Sequence, residues 1–376
     1  MQQKILITGA KGFIGKNLTA ELKNRGYDTV YPCDVETTEE ELERYVKDCT
    51  FVFHFAGVNR PKDKSEFTTG NTIFSETLIR LLEKEGKNTP VLMSSSIQAT
   101  LDNPYGISKK AAEDALFRHE KESGSKVMIF RLPGVFGKWC RPNYNSVVAT
   151  FCHNIANGFP IEVHDPKREL ELVYIDDVIA AFIDAMEQLP KADADGFHHV
   201  KITHRITLGD LAERIGAFPE LRQNLGVPDF SDPLTYKLYS TYLSYLAEDD
   251  FSYPLTMKCD NRGSFTEFIR TPDRGQVSVN VAKPGITKGN HWHHSKNEKF
   301  LVVKGEADIC FRKVGEEKVI TCHVSDQELT VVDIPTGYTH CITNTGEEDL
   351  ITVMWASEAF DEKHPDTFFE PVIRKP

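Results

Sequence analysis

Lys4-Ile5-Leu6-Ile7-Thr8-Gly9-Ala10-Lys11-Gly12-Phe13-Ile14-Gly15 decides the first half of the chain. A short apolar run of strand character ends in a turn with glycines at 9, 12 and 15, and amphipathic helical spacing follows directly. Glycines there allow a tight turn and let the backbone approach a pyrophosphate, which the helix N-terminus attracts. A glycine turn with no ligand has the same composition, but the strand–turn–helix context favours a dinucleotide. Gly9, Gly12, Phe13, Ile14 and Gly15 are therefore candidate cofactor contacts. A second strand over 29–32 ends near Asp34, 22 residues beyond Gly12. A carboxylate there accepts a ribose 2′-hydroxyl and repels a 2′-phosphate, favouring NAD; a solvated turn aspartate is the alternative.

The pattern continues outward from that turn. Spacing predicts strands over 4–8, 51–55, 91–94 and 127–131, with helices over 16–25, 39–47, 71–85 and 108–122 between them. Such alternation predicts an α/β fold built on a parallel sheet. A Pro-, Asp-, Ser- and Tyr-rich stretch, 227–254, interrupts it and reads as a connector with one helix over 236–246. Short β-branched runs follow at 276–281, 299–303, 307–312, 318–324, 329–334 and 350–355. Their turn signals every 8–12 residues predict an all-β sandwich or small barrel. A length of 376 residues suits two domains, 1–245 and 246–376.

Charge and cysteine usage narrow the partners. Residues 1–245 carry 29 basic and 34 acidic groups and residues 246–376 carry 15 and 22, so neither half has a basic face for nucleic acid or anionic membrane. No apolar run approaches the roughly 18 residues a membrane span needs. Eight scattered cysteines without a CxxC pair fit a reducing cytoplasm better than a disulfide framework.

Tyr105-Gly106-Ile107-Ser108-Lys109 heads a helix, placing Tyr105 and Lys109 one turn apart on one face. A lysine cation beside a phenol favours its ionisation by about 3–4 kcal/mol, making it a usable proton donor to a carbonyl oxygen. An exposed tyrosine with a solvated lysine has the same spacing. Ser94-Ser95-Ser96, ending the preceding strand, adds a hydroxyl that could hold the same oxygen.

These residues resemble the extended short-chain dehydrogenase/reductases that work on nucleotide sugars. The resemblance covers about 220 residues. It includes His54-Phe55-Ala56-Gly57, Asn71, Arg131-Leu132-Pro133-Gly134-Val135-Phe136-Gly137 and Tyr174-Ile175-Asp176-Asp177-Val178. It implies cofactor contacts at Ala56, Gly57 and Pro133, Tyr105 as acid, Lys109 as its partner, and Ser96 as the hydroxyl. Only eight residues separate Ser96 from Tyr105, shorter than the family's usual loop, which leaves Ser95 as the alternative. Asn143, in Asn143-Tyr144-Asn145-Ser146, and Arg168 are candidate substrate contacts, with a surface ion pair as the plainer reading of Arg168.

In the second half, three of the 13 histidines fall within four positions, in His291-Trp292-His293-His294. In a strand, His291 and His293 share a face. With Glu298 and His340 they make a set able to close a first-row metal site. Gly285, His291-x-His293, Glu298 and Gly305, then Pro335-x-Gly337-x-x-His340-x-x-x-Asn344, resemble the two cupin motifs. Asp260-Asn261-Arg262-Gly263-Ser264-Phe265-Thr266-Glu267 resembles the nucleotide-sugar 3,5-epimerase branch of cupins. That branch implies a metal-free site with His291 as base. His291 cannot give its lone pair to a metal and also act as base, so with a metal bound the base is His294, Lys288 or Tyr338. Arg262 and Lys288 are candidate holders of substrate phosphates.

Along its full length the chain is similar to bifunctional capsular-polysaccharide enzymes that fuse such a reductase to a cupin. The motifs are His54-Phe55-Ala56-Gly57-Val58-Asn59-Arg60-Pro61, Ser94-Ser95-Ser96-Ile97-Gln98-Ala99-Thr100, the connector 238–246, and Lys288-Gly289-Asn290-His291-Trp292-His293-His294. The resemblance implies a zinc cupin that inverts C3 of a UDP-linked 4-keto-6-deoxy-N-acetylhexosamine. It further implies a reductase that uses NADPH at C4, giving UDP-N-acetyl-6-deoxytalose, a precursor of UDP-N-acetyl-L-fucosamine for capsule or O-antigen. A homodimer is expected. Asp34 alone points instead to NAD.

Overall fold

The computed structural model describes residues 3–59, 63, 68–359, 361 and 363–374; Arg60 and Pro61 of the quoted motif lie outside them. Apolar runs place β1 (Lys4–Thr8) and β3 (Phe51–His54) deep in the fold, as parallel strands between helical layers must be. With β2 (Thr29–Cys33), β4 (Val91–Ser96) and β5 (Val127–Leu132) they form a parallel sheet in the order β2-β1-β3-β4-β5. Strand periodicity splits the core. Ile5 and Ile7 face one apolar cluster and Leu6 faces the other.

The helices α1 (Phe13–Asn24), α2 (Glu39–Asp48), α3 (Phe74–Glu85) and α4 (Pro104–Ser123) alternate with these strands. Their ends are written in local chemistry. Thr38 and Glu41 form a capping box on α2, and Asn103 caps α4 while Pro104 occupies its first turn. Left-handed Gly86 and Gly124 close α3 and α4. The periodicity over 71–85 predicts helix throughout, but Thr68–Ile73 is a π-helical turn and regular helix starts at Phe74. Because β1 is followed by β2 on one side and β3 by β4 on the other, the chain leaves the carboxyl ends of β1 and β3 in opposite directions. That reversal opens a crevice between the turns after β1 and β3.

Beyond β5 come β6 (Gly134–Phe136), α5 (Val147–Ala156), β7 (Glu169–Tyr174), α6 (Ile175–Gln188), β8 (His204–Thr207), α7 (Leu208–Gly216), α8 (Phe218–Gln223) and α9 (Pro233–Leu243). Strands β6, β7 and β8 make a small second sheet. The chain divides into one compact unit of 1–216 with 230–247 and another of 217–229 with 248–376. The short α8 segment thus clusters with the second unit, where Arg222 pairs with Asp250 at 2.6 Å and Leu225 O accepts the Arg270 N–H at 2.7 Å.

The second unit is all-β. Strands β9 (Lys258–Asp260), β10 (Gly263–Thr271), β11 (Gly275–Ala282), β12 (Thr287–Trp292), β13 (Glu298–Lys304), β14 (Glu306–Lys313), β15 (Val319–Ser325), β16 (Val331–Ile334), β17 (Tyr338–Asn344), β18 (Leu350–Ala356) and β19 (Phe368–Phe369) are paired antiparallel. They form sheets ordered β16-β13-β18-β11-β10-β9 and β15-β14-β17-β12-β19, a cupin-like arrangement. Phe300, Ile309, Phe311, Ile342 and Leu350 fill its core. No helix among the described residues is long and apolar enough to cross a membrane.

Candidate active sites

The glycine turn is packed backbone against backbone. Gly9 has φ +70°, and a Cβ there would lie 2.8 Å from the Ala56 amide nitrogen, at the end of β3. A Cβ on Gly15 would lie 2.3 Å from Gly9 O. Gly12, the N-cap of α1, brings no side chain to the helix end, and the first turn holds no carboxylate. The N-terminal N–H groups of α1 are thus left for an anion, so these residues fit a dinucleotide pyrophosphate. Phe13 and Ile14 pack their side chains on the core behind this end. Gly15→Ala should cost about 1–3 kcal/mol of stability. It should also weaken dinucleotide binding at least about tenfold, read by thermal unfolding and by cofactor fluorescence titration.

Behind the turn, His54 ties β1 to α3. Ser75 gives its proton to Asn71 O (2.6 Å), so it accepts from His54 Nε2–H (2.8 Å). His54 Nδ1 then accepts the Thr8 hydroxyl proton (2.8 Å), and Thr8 Oγ1 accepts the Ala56 N–H (3.2 Å). Burial pushes His54 down to about 3, which keeps it neutral for this relay. The π-helical turn aims Asn71 at the Val58 backbone (2.7 and 3.1 Å) and at Ser108 Oγ (2.8 Å), linking the β3 loop to the Tyr105 helix.

Lys109 is 6% exposed, and its Nζ donates to Ser94 O at 2.9 Å. A Cβ on Gly57 would sit 3.5 Å from that nitrogen, so the lysine reaches under the β3 loop. Burial lowers Lys109 to about 8, with Glu113 opposing. Tyr105 differs from the expectation. Burial pushes its hydroxyl up to about 12, a hydrogen bond with Ser96 pulls the other way, and Tyr144 adds to the rise. Desolvation outweighs the Ser96 bond, and Tyr105 stands as a neutral phenol, the form that can give a proton. Ser95 lies on the opposite side of the strand, where it donates to buried Glu113 (2.6 Å). Glu113 in turn holds Arg131 through two bonds (3.0 and 2.7 Å). Of the two serines left open by the sequence, Ser96 is the one with Tyr105.

Pro133 lies between β5 and β6. Asn143 is exposed in a left-handed conformation, φ +53°, with its N–H on Thr150 Oγ1 (3.0 Å). Arg168 is exposed just before β7 and makes no ion pair among the described residues. Asp34 is fixed at the end of β2: its carboxylate accepts the Lys11 N–H at 2.7 Å and the Val35 N–H at 2.9 Å.

In the second unit, β12 lies antiparallel to β17 with His291 opposite His340, while Glu298 enters from β13 of the facing sheet. One ligand atom from each of His291, His293, Glu298 and His340 falls within 4.8 Å of the others. Glu298 Oε2 is 3.3 Å from His293 Nε2 and 3.2 Å from His340 Nε2. Those atoms are buried, yet none has a hydrogen-bond partner. Four donors that converge on one point without bonding each other fit a divalent cation. Burial beside His340 lowers His291 to about 4, leaving its lone pair free for a metal or a proton.

The other sequence candidates are already engaged. Lys288 lines a cavity of about 430 Å³ with His291, Glu298 and His340. Its three protons go to Ser264 O (3.2 Å), Asn280 Oδ1 and Val281 O (both 2.8 Å). With its donors engaged in this way, Lys288 is not placed as the base. Arg262 lines the same cavity but is clamped on Asp260 (2.6 Å). His294 is exposed and packs its ring on Trp292 and Phe368, and Tyr338 packs on the core. Lys296, not singled out from the sequence, is 7% exposed and lines an adjoining chamber of about 280 Å³ with His291 and His293.

Sequence reasoning also missed Asp366. His293 Nδ1 donates to the Asp366 carbonyl, which turns the Nε2 lone pair toward the site. The Asp366 carboxylate accepts the N–H groups of His294 (2.8 Å), Ser295 (2.8 Å) and Lys296 (2.9 Å), which hold it far below the usual carboxylate range. The tail is fastened by Arg312, 1% exposed, through Val372 O (2.9 Å), Pro371 O and Glu370 (both 2.7 Å). No local signal marks Asp366, because its partners lie about seventy residues earlier. Asp366→Ala should weaken metal binding about 10–100-fold in chelator competition.

Comparison with known proteins follows the same division. Residues 5–198 match the NAD dependent epimerase/dehydratase family, and residues 258–368 match the polysaccharide biosynthesis C-terminal domain. The UDP-2-acetamido-2,6-beta-L-arabino-hexul-4-ose reductase of Pseudomonas aeruginosa is 44% identical over 366 residues, 97% of this chain and 98% of that protein. The crystal structure of capsular polysaccharide assembling protein CapF from Staphylococcus aureus matches with a TM-score of 0.92 and 48% identity, over 98% of this chain and 100% of that one. A CapF structure with the inhibitor 3-isopropenyl-tropolone matches with a TM-score of 0.87 and 45% identity, over 98% and 100%.

Proposed function

Because this chain belongs to the family of the capsular polysaccharide assembling protein CapF, we propose that it is a bifunctional nucleotide-sugar enzyme. The cupin-like unit epimerises C3 of a UDP-linked 4-keto-6-deoxy-N-acetylhexosamine. The first unit then reduces C4 to give UDP-N-acetyl-6-deoxytalose, a precursor of UDP-N-acetyl-L-fucosamine for capsule or O-antigen, in a cytoplasmic homodimer. One observation carries the reading: a single chain holds a Tyr105–Ser96–Lys109 set beside a dinucleotide crevice and a His291–His293–Glu298–His340 cluster in a cavity.

The 4-ketone links the two steps. It acidifies the adjacent C3–H, so a base can remove that proton and the electrons rest on the ketone oxygen as an enolate. Reprotonation from the opposite face inverts C3. A divalent cation, zinc by its three-imidazole, one-carboxylate ligand set, would draw electron density from the ketone oxygen. In the first unit a reduced nicotinamide dinucleotide, held at the glycine turn, would supply hydride to C4. Ser96 holds the C4 oxygen and Tyr105 gives it the phenolic proton. Lys109 stabilises the phenolate that remains.

A second reading keeps only the reductase, with the cupin-like unit as a metal-stabilised scaffold; the prior engagement of Lys288 and Arg262 favours it. Product analysis separates the two. Incubation with the UDP-4-keto sugar and reduced cofactor should give stoichiometric cofactor oxidation and a product inverted at C3 by NMR. A product reduced at C4 with C3 retained would leave the scaffold reading.

A further inference from the structure

The ribose end of the dinucleotide crevice carries carboxylates at the tip of β2, in the turn after it and at the start of α2. Asp34 is locked at the tip of β2 against the glycine turn by the Lys11 and Val35 N–H groups (2.7 and 2.9 Å). Its own N–H is held by Thr37 Oγ1 at 3.0 Å, so the carboxylate cannot swing away without breaking the turn. Each carboxylate oxygen accepts one backbone bond and keeps a lone pair for a ribose hydroxyl. Val35, where a cation could reach a phosphate, is apolar and 91% exposed. Residues 29–42 contain no lysine or arginine but five carboxylates, Asp34, Glu36, Glu39, Glu40 and Glu41.

The nearby cations are spoken for. Lys11, on the glycine turn, pairs with Glu36 at 3.0 Å, and Arg80 pairs with Glu39 at 3.1 Å. The N-terminus of α2 would otherwise draw a phosphate, but Glu39, Glu40 and Glu41 fill its first turn. A 2′-phosphate adds close to two negative charges at the point where Asp34 already stands; a 2′-hydroxyl adds a donor that the carboxylate can accept.

We propose that this chain is an NADH enzyme, with Asp34 as the residue that selects against NADPH. The inference rests on the reductase reading above but departs from the cofactor that the family resemblance implies. It is tested by equilibrium binding, with no sugar present. The full-length chain should bind NADH at least about tenfold more tightly than NADPH in fluorescence and calorimetric titrations. Asp34→Thr combined with Val35→Arg should reverse that order, and circular dichroism would verify that the variant is folded. Equal or tighter NADPH binding by the unchanged chain overturns the inference and leaves the reductase reading standing. Binding of neither dinucleotide overturns both.

Discussion

Tyr105→Phe lowers ketone-dependent oxidation of the reduced cofactor by about 10²–10⁴-fold, the range expected when a positioned general acid is removed. The ring stays, so helix α4 and its packing are retained, and only the phenolic proton is lost. In the folded chain burial raises that hydroxyl to about 12, against the pull of its hydrogen bond with Ser96, so the proton is present to be given. Hydride arriving at C4 then leaves an alkoxide that has only the Ser96 hydroxyl beside it and no phenolic proton to take. Lys109 cannot replace the phenol, because its ammonium is buried and bound to Ser94 O. Deuterium exchange at C3 should continue at its original rate in this variant, since the cupin-like cavity does not use Tyr105. A residual cofactor oxidation above about one tenth of the original would remove Tyr105 from the chemistry.

Removal of the metal by a strong chelator, or Glu298→Gln, abolishes C3 exchange and lowers the stability of the second unit. The physical cause is the same in both. His293 Nε2, Glu298 Oε2 and His340 Nε2 are buried without hydrogen-bond partners, and a cation would satisfy them together. A metal held at about a thousand times its dissociation constant stabilises the folded state by about 4 kcal/mol, and chelation removes that contribution. The expected observations are a lower unfolding temperature and loss of deuterium uptake at C3. Reduction of a ketone supplied already inverted at C3 should persist. Unchanged thermal stability and exchange after chelation would mean that the cluster works without metal, with His291 as the base.

The parts legible in the sequence are those written in local signals. Glycines at 9, 12 and 15 after an apolar run announced both the turn and its ligand class, because backbone approach needs residues without a Cβ. The motif spacing of His291, His293, Glu298 and His340 named all four members of a cluster that only the β12–β17 pairing and the facing strand β13 bring together. What stayed hidden depends on long-range contact. Three adjacent serines look alike in sequence; the strand's alternation sends Ser95 to Glu113 and leaves Ser96 with Tyr105. Asp366 gained its place from a tail that returns beside β12, and nothing near it in the chain foretells that. The engagement of Lys288 and Arg262 was equally invisible, since their acceptors include backbone oxygens and a neighbouring turn aspartate.

The direct test of two separate chemistries in one chain is deuterium incorporation at C3 of a UDP-4-keto-6-deoxy-N-acetylhexosamine in deuterated water, without reduced cofactor and with or without chelator. Uptake at C3 that needs no reduced cofactor and ceases when the metal is removed is the predicted result. An absence of deuterium at C3 under all conditions, with normal cofactor oxidation once it is supplied, would contradict an epimerase in the second unit.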